Sequence, residues 1–318
     1  MTENSDNTHE DNTYEVVVVG GGAAGLSAAL VLGRARRRTL VVDAGEPRNA
    51  PAAHMHGYLS RDGMPPAEFL AVGREETARY GVELVRDRAV EATRGTGFTV
   101  RLESGRTVHA RQLVVATGLK DELPPVAGLA ERFGRDVLHC PYCHGWEVRD
   151  RAFGVLAGTP MSVHQALMVS QWSKDVTLFL HEVAEELLTD DDLRRLAAAG
   201  VRTVRGEVTE VLTDDDRLTG VRLADGSVHD REVLFVAPRA VPQTGLLAAL
   251  GAELTETPFG SYPVIDERGL TTVPGLWAAG NASGFAEQVI NAAGRGYRAG
   301  AAINGELLFA DLDAAVGV

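Results

Sequence analysis

Cysteine is almost absent from this 318-residue chain: there are two, Cys140 and Cys143. Two thiols cannot build a disulfide framework, so a small stapled scaffold is excluded and their use must be local. Positive charge is also short, with 31 Lys and Arg against 44 Asp and Glu and a formal net charge of −13. That balance repels phosphate backbones and anionic lipid, which argues against nucleic acid and membrane partners. The basic run Arg34 with Arg36-Arg37-Arg38 reads as a solvated helix end. No apolar run is long enough to span a bilayer: residues 16–33 are uncharged, but Gly20, Gly21, Gly22 and Gly25 split them. Residues 1–13 are polar and acidic without a basic start. They read as a disordered tail, not a secretory signal or transit peptide, and the expectation is a soluble, cytoplasmic protein.

The length suits two domains of roughly 150 residues each. Residues 14–19 are apolar and β-branched and predict a buried parallel strand, followed by a helix over 26–33 and a strand over 39–42. A helix is expected over 65–80, a hairpin from 98–102 and 107–110, and a separate strand at 113–116. A second α/β unit starts near Leu123-Pro124-Pro125, with a strand at 153–157, a helix at 162–173 and a strand at 176–180. Strands at 233–237 and 273–279 and a terminal helix over 288–308 complete the pattern. The expected fold class is α/β, with two Rossmann-like dinucleotide-binding domains, the second inserted into the first. The first domain takes 14–122 and 242–318, and the insert takes 123–241.

Gly20-Gly21-Gly22-Ala23-Ala24-Gly25 matches G-x-G-x-x-G between a strand and a helix. Gly20 allows the tight turn, Gly22 admits a pyrophosphate to the backbone, and Gly25 lets the helix pack on the sheet with its N-terminus facing the phosphates. Asp43 ends the next strand, where a carboxylate accepts from ribose hydroxyls.

Cys140-Pro141-Tyr142-Cys143-His144 is open to several chemistries. C-x-x-C-H is the c-type haem attachment pattern, but that needs export. A zinc site needs four ligands, and neither a second C-x-x-C nor a spaced His pair is present. His54 and His56 lack a third ligand and read as polar lining, so no metal is expected. Glutaredoxins also carry Cys-Pro-Tyr-Cys, but after the first strand of a much smaller fold. A dithiol–disulfide pair that trades electrons with a flavin fits best.

Gly275-Leu276-Trp277-Ala278-Ala279-Gly280-Asn281 resembles the second FAD motif of flavoproteins with two dinucleotide domains. Asn281 stands where that family usually has Asp, and can bond a hydroxyl without bringing charge. Ala116-Thr117-Gly118 resembles the other flavin-side turn. Residues 16–308 as a whole resemble the low-molecular-weight thioredoxin reductases, and 140–147 look most like the dithiol oxidases of gliotoxin and holomycin biosynthesis. The resemblance implies FAD, held by Gly20, Gly22, Ala24, Gly25, Asp43, Arg48, Asn49, Val90, Thr117, Gly118, Gly280, Asn281, Gln288 and Val289. It also implies that Cys143 reduces the flavin while Cys140 exchanges with substrate. His144 stands where the reductases keep Asp and can act as acid or base near neutral pH. A structural role stays open for His144 and for its neighbour His139.

The second domain departs from a working NADPH site. In Gly158-Thr159-Pro160-Met161-Ser162-Val163 the second and third fingerprint glycines are Pro160 and Val163, and proline removes an N–H where a pyrophosphate must approach. Glu182, Glu185 and Glu186 follow the next strand, where a 2′-phosphate needs arginines. The domain reads as one that keeps the fold without the site. Electrons then run from a small-molecule dithiol to the cysteine pair and FAD, with molecular oxygen as the implied acceptor, giving hydrogen peroxide, and a homodimer as the implied assembly. The competing readings are an NADPH-dependent disulfide reductase acting on a thioredoxin-like protein and a flavin-based redox sensor.

Overall fold

The computed structural model describes residues 12–159, 161–181 and 183–317. The chain forms two compact units. The first takes the chain up to Arg48, Ala67–Lys120 and everything from Ala240; the second takes Asn49–Pro66 and Asp121–Arg239. Residues 49–66 therefore fall on the other side of the division from where the sequence puts them. The reason is packing: a Cβ on Gly134 would lie 2.6 Å from Pro51 O, and His56 reaches Glu147. Most of the expected tail, residues 1–11, lies outside the described residues. Thr13, its last member, already belongs to a strand and pairs with His109.

The first unit begins with β1 (Thr13–Val19), α1 (Ala23–Arg34), β2 (Thr39–Asp43), α2 (Pro66–Ala78) and β3 (Glu83–Arg86). A meander of β4 (Ala89–Arg94), β5 (Phe98–Leu102) and β6 (Thr107–Val115) follows. The sheet order is β3-β2-β1-β6-β5-β4, and the late strand Leu276–Ala278 joins β6 in parallel. Alternation along β1 explains its unbroken apolar run. Val17 and Val19 enter one core with Leu40, Leu113 and Leu276, while Val16 and Val18 enter another with Leu32, Trp277 and Ile303.

The strands expected at 107–110 and 113–116 are one nine-residue strand. Gln112 does not interrupt it, because its Oε1 accepts from the buried Trp277 Nε1 at 2.8 Å. The terminal helix runs Val289–Val316, past the expected end, and crosses α1 at close range. A Cβ at Gly296 would lie 1.9 Å from Ala24 O, and one at Gly300 would lie 2.7 Å from Ala28 O. The basic run is not simply solvated. Arg37 keeps only 12% of its side chain exposed and bonds Glu15, Asn304 and Asp311 at 2.6, 2.9 and 2.8 Å.

The second unit holds a five-stranded parallel sheet. Its order is Arg202–Val204, Val176–Phe179, Phe153–Leu156, Val233–Val236 and Val137–Leu138. Beside it lies a three-stranded antiparallel sheet that the sequence reading does not foresee, made of Val208–Asp214, Arg217–Leu223 and Val228–Asp230. Among the described residues no helix is long and apolar enough to cross a membrane.

Candidate active site

The cysteine pair sits on a one-turn helix, Pro141–His144, just after the edge strand Val137–Leu138. Pro141 suits the first helical position, where no intrahelical N–H bond is needed. Cys140 caps the helix: its Sγ accepts from Cys143 N–H at 3.2 Å. The spacing brings the two side chains together over one turn, and they form a disulfide with Cα atoms 5.2 Å apart. His139 anchors the segment. Its Nδ1 lies 3.1 Å from Val236 O, and its own carbonyl accepts from Gln165 Nε2 at 2.8 Å. His139 thus ties the segment to the end of the neighbouring strand Val233–Val236. Tyr142, 69% exposed, meets Trp172 edge-on at 5.9 Å, and Arg149 stacks over the exposed Trp146 ring at 4.1 Å.

His144 is half-buried. Burial pushes its pKa below the ordinary 6.5; Glu147 opposes that shift and His56 adds to it. The ring is therefore mainly neutral at pH 7 and able to take a proton. His56 is more than polar lining. Its Nε2 lies 3.5 Å from Glu147 Oε1 and its Nδ1 lies 3.4 Å from Asp62 Oδ1. Sequence reasoning missed Glu147 and Asp62. The three-residue step from His144 to Glu147 was a usable signal for the first, whereas the second arrives only through the path of the 49–66 loop.

In the first unit the glycine turn has the shape a dinucleotide needs. Gly20 has φ +107°, and a Cβ there would lie 2.3 Å from Ala116 O. A Cβ on Gly25 would collide with Gly20 O at 1.8 Å, whereas the Cβ position of Gly22 has nothing within 4 Å. The open space is where a pyrophosphate would approach, so the cradle fits the group. Gly21 N–H donates to Asp43 Oδ1 at 3.0 Å, which holds the acid at the end of β2. Thr117 Oγ1 donates to Gln243 O at 2.7 Å, and Gln243 N–H donates to Gly118 O at 3.0 Å. Ala24 packs with Ala116, Ala279 and Ala292, and Gly280 abuts Ala24.

Asn281 Nδ2 donates to Gly284 O and Phe285 O at 3.3 and 3.0 Å, so the amide closes its own loop. Gln288 is the N-cap residue of the terminal helix and Val289 its first helical residue. Val90 stands at a register irregularity of β4 against β5, the kind of bulge that re-aims a side chain. Arg48 and Asn49 are parted by the division between the units, which leaves Asn49 outside the unit that holds the glycine turn.

The corresponding turn of the second unit differs. Gly158 N–H and Thr159 N–H both point to Ser162 Oγ, at 3.3 and 3.5 Å, so the chain's own hydroxyl occupies them. Glu185 pairs with Arg205. Pro160 and Glu182 lie outside the described residues. No group of three or more His, Cys, Asp or Glu able to hold a metal ion occurs among the described residues.

Residues 14–296 match the model of the pyridine nucleotide-disulphide oxidoreductase family. Similar curated proteins include thioredoxin reductase sirT of Leptosphaeria maculans, 32% identical over 95% of this chain and 96% of its own length. Thioredoxin reductase tcpT of Claviceps purpurea is 33% identical over 95% and 96%. Among solved structures, HlmI is 49% identical with a TM-score of 0.92, covering 97% of this chain and 96% of that one. An oxidoreductase from Agrobacterium tumefaciens is 40% identical with a TM-score of 0.87, covering 93% and 99%. The chain belongs to the pyridine nucleotide-disulphide oxidoreductase family and is a flavin-dependent oxidoreductase with FAD as its cofactor.

Proposed function

We propose that this protein is an FAD-dependent dithiol oxidase. It closes a small-molecule dithiol to a disulfide and passes the two electrons through Cys140 and Cys143 to FAD and on to molecular oxygen, giving hydrogen peroxide. The reading is of a cytoplasmic homodimer. One observation carries it: at the second unit's nucleotide turn the Gly158 and Thr159 N–H groups are taken up by the chain's own Ser162 hydroxyl. A nicotinamide donor then has poor purchase, and a dithiol is left as the source of electrons.

FAD, when bound, supplies the two-electron acceptor. It would be held by Gly20, Gly22, Gly25, Thr117, Gly118 and Gly280, with Asp43 Oδ2 for a ribose hydroxyl and Asn281 Oδ1 for the ribityl chain. The Gln288–Val289 helix start would offer its free backbone N–H groups to the ring.

The chain's own residues carry the thiol chemistry. His144 takes the proton of one substrate thiol, and the sulfur's electron pair forms a bond to Cys140 Sγ as the Cys140–Cys143 bond breaks. Cys143 leaves as a thiolate. The second substrate thiol gives its proton to solvent and attacks the substrate sulfur of the mixed disulfide, which forms the product disulfide and releases Cys140. The Cys143 N–H, 3.2 Å from Cys140 Sγ, stabilises that departing thiolate. The substrate loses two electrons and two protons, and the cysteine pair gains the electrons.

NADPH-dependent reduction of a thioredoxin-like protein is a second reading, favoured by the names of sirT and tcpT. Anaerobic titration separates the two. Dithiothreitol is expected to bleach the flavin, and air to restore its colour with release of peroxide, while NADPH bleaches it poorly. Rapid stoichiometric bleaching by micromolar NADPH would establish the reductase instead.

A further inference from the structure

His144 directly follows Cys143, and beyond it Glu147, His56 and Asp62 form a row of contacts of which the proposed thiol chemistry uses none. His56 comes from the 49–66 loop, which belongs to the same unit as the cysteine pair. Its side chain is largely buried and stands between Glu147 Oε1, 3.5 Å from Nε2, and Asp62 Oδ1, 3.4 Å from Nδ1. Asp62 is fixed in turn by Gly57 N–H, 2.8 Å from the same oxygen. Each ring nitrogen of His56 thus has a carboxylate oxygen within 3.5 Å.

Glu147 lies one turn beyond His144, its N–H bonded to His144 O at 3.1 Å. The charged groups that act on His144 are thus Glu147 from the following turn and His56 from the loop, and those facing His56 are Asp62 and Glu147. A carboxylate left unpaired beside His144 would favour its protonated form, which cannot accept a proton.

We propose that His56 is a positioning residue for proton removal at the Cys140–Cys143 disulfide: clamped between Asp62 and Glu147, it masks the Glu147 carboxylate and keeps His144 free to take the substrate's proton. The inference rests on the dithiol oxidase reading. It gives the 49–66 loop work in catalysis without contact with the reacting sulfurs.

The test is the pH profile of flavin bleaching when the flavin-loaded protein is mixed anaerobically with dithiothreitol. His56→Gln removes the imidazole that faces Glu147, and that change favours protonated His144. The acid limb should move up by about half to one pH unit, so the rate falls roughly three- to tenfold below the limb and is unchanged well above it. Glu147→Gln should move the limb down, and adding His56→Gln in that background should move it by less than half its shift in the wild type. A uniform loss across pH, an unmoved limb or a downward shift in His56→Gln would overturn the proposal. Should His56→Gln fail to hold flavin, Asp62→Asn, at the exposed end of the bridge, loosens His56 and is expected to shift the limb the same way; an unmoved limb there overturns it equally. A wild type that dithiothreitol does not bleach overturns the oxidase reading and this inference with it, whereas a wild type that bleaches while the limbs stay fixed overturns this inference alone.

Discussion

Asn281 donates its side-chain amide to the carbonyl of Phe285 at 3.0 Å, a bond that a carboxylate at the same position cannot make. The departure from aspartate therefore has a local cause: the loop closes on the amide nitrogen and leaves the amide oxygen for a hydroxyl. Asn281→Asp would set a charge against the Gly284 and Phe285 carbonyls, at a cost of about 2 kcal/mol. A lower melting temperature and faster loss of FAD on dilution are expected. A variant that keeps flavin as firmly as the wild type would mean that the loop does not depend on the amide.

The crossing of α1 and the terminal helix predicts a sharp contrast between two glycines of that helix. Gly296→Ala puts a Cβ 1.9 Å from Ala24 O, so backbone must move, and a loss of about 3 kcal/mol or more is expected in urea unfolding. At Gly294 a Cβ meets nothing within 4 Å, and Gly294→Ala should stabilise by about 0.5–1 kcal/mol through helix propensity. Equal effects at the two positions would contradict the packing described.

What the sequence revealed was what is encoded locally. The glycine turn, the buried β1 and the cysteine pair each lie within a few consecutive residues, so pattern and spacing suffice to read them. The second unit's antiparallel sheet escaped because its turn, Asp214-Asp215-Asp216, has none of the Asn-Gly or Asp-Gly pairs that mark a tight hairpin. It is a tight hairpin, with Asp215 and Asp216 at φ +46° and +58° and Asp214 paired with Arg217. Arg132 holds it from a distance by bonding Asp216 Oδ1 at 2.8 Å. The same limit hid the link from His56 to Glu147, since no local signal joins residues so far apart in the chain. Arg37 was misread for the matching reason: its partners Asn304 and Asp311 sit at the other end of the sequence.

The two cysteines should be separable by substitution. If Cys143 is the thiol that reduces the flavin, Cys143→Ser should abolish bleaching by dithiothreitol and leave Cys140 able to trap a mixed disulfide, visible as added mass in intact-protein spectrometry. Cys140→Ser should lose turnover as well. Full turnover in Cys140→Ser would rule out this division of labour.

His144 gives the last prediction. A substrate thiol with a pKa of about 8.5–10 is mostly protonated at pH 7, so its attack on Cys140 needs a base. Burial lowers the His144 pKa from 6.5, so the ring is already mainly in its accepting form at neutral pH, and the acid limb of dithiol-driven bleaching should lie below pH 6.5. Removing the base should cost roughly 100-fold or more at pH 7. In His144→Gln that loss should shrink as the pH rises towards the thiol's own pKa, because solvent then supplies the thiolate. Reoxidation of the flavin by oxygen, which uses no substrate thiol, should change far less. If the ring only holds the turn in place, the loss would instead be uniform across pH, so measuring the dithiol half-reaction of His144→Gln at pH 7 and pH 9.5 distinguishes a base from a brace.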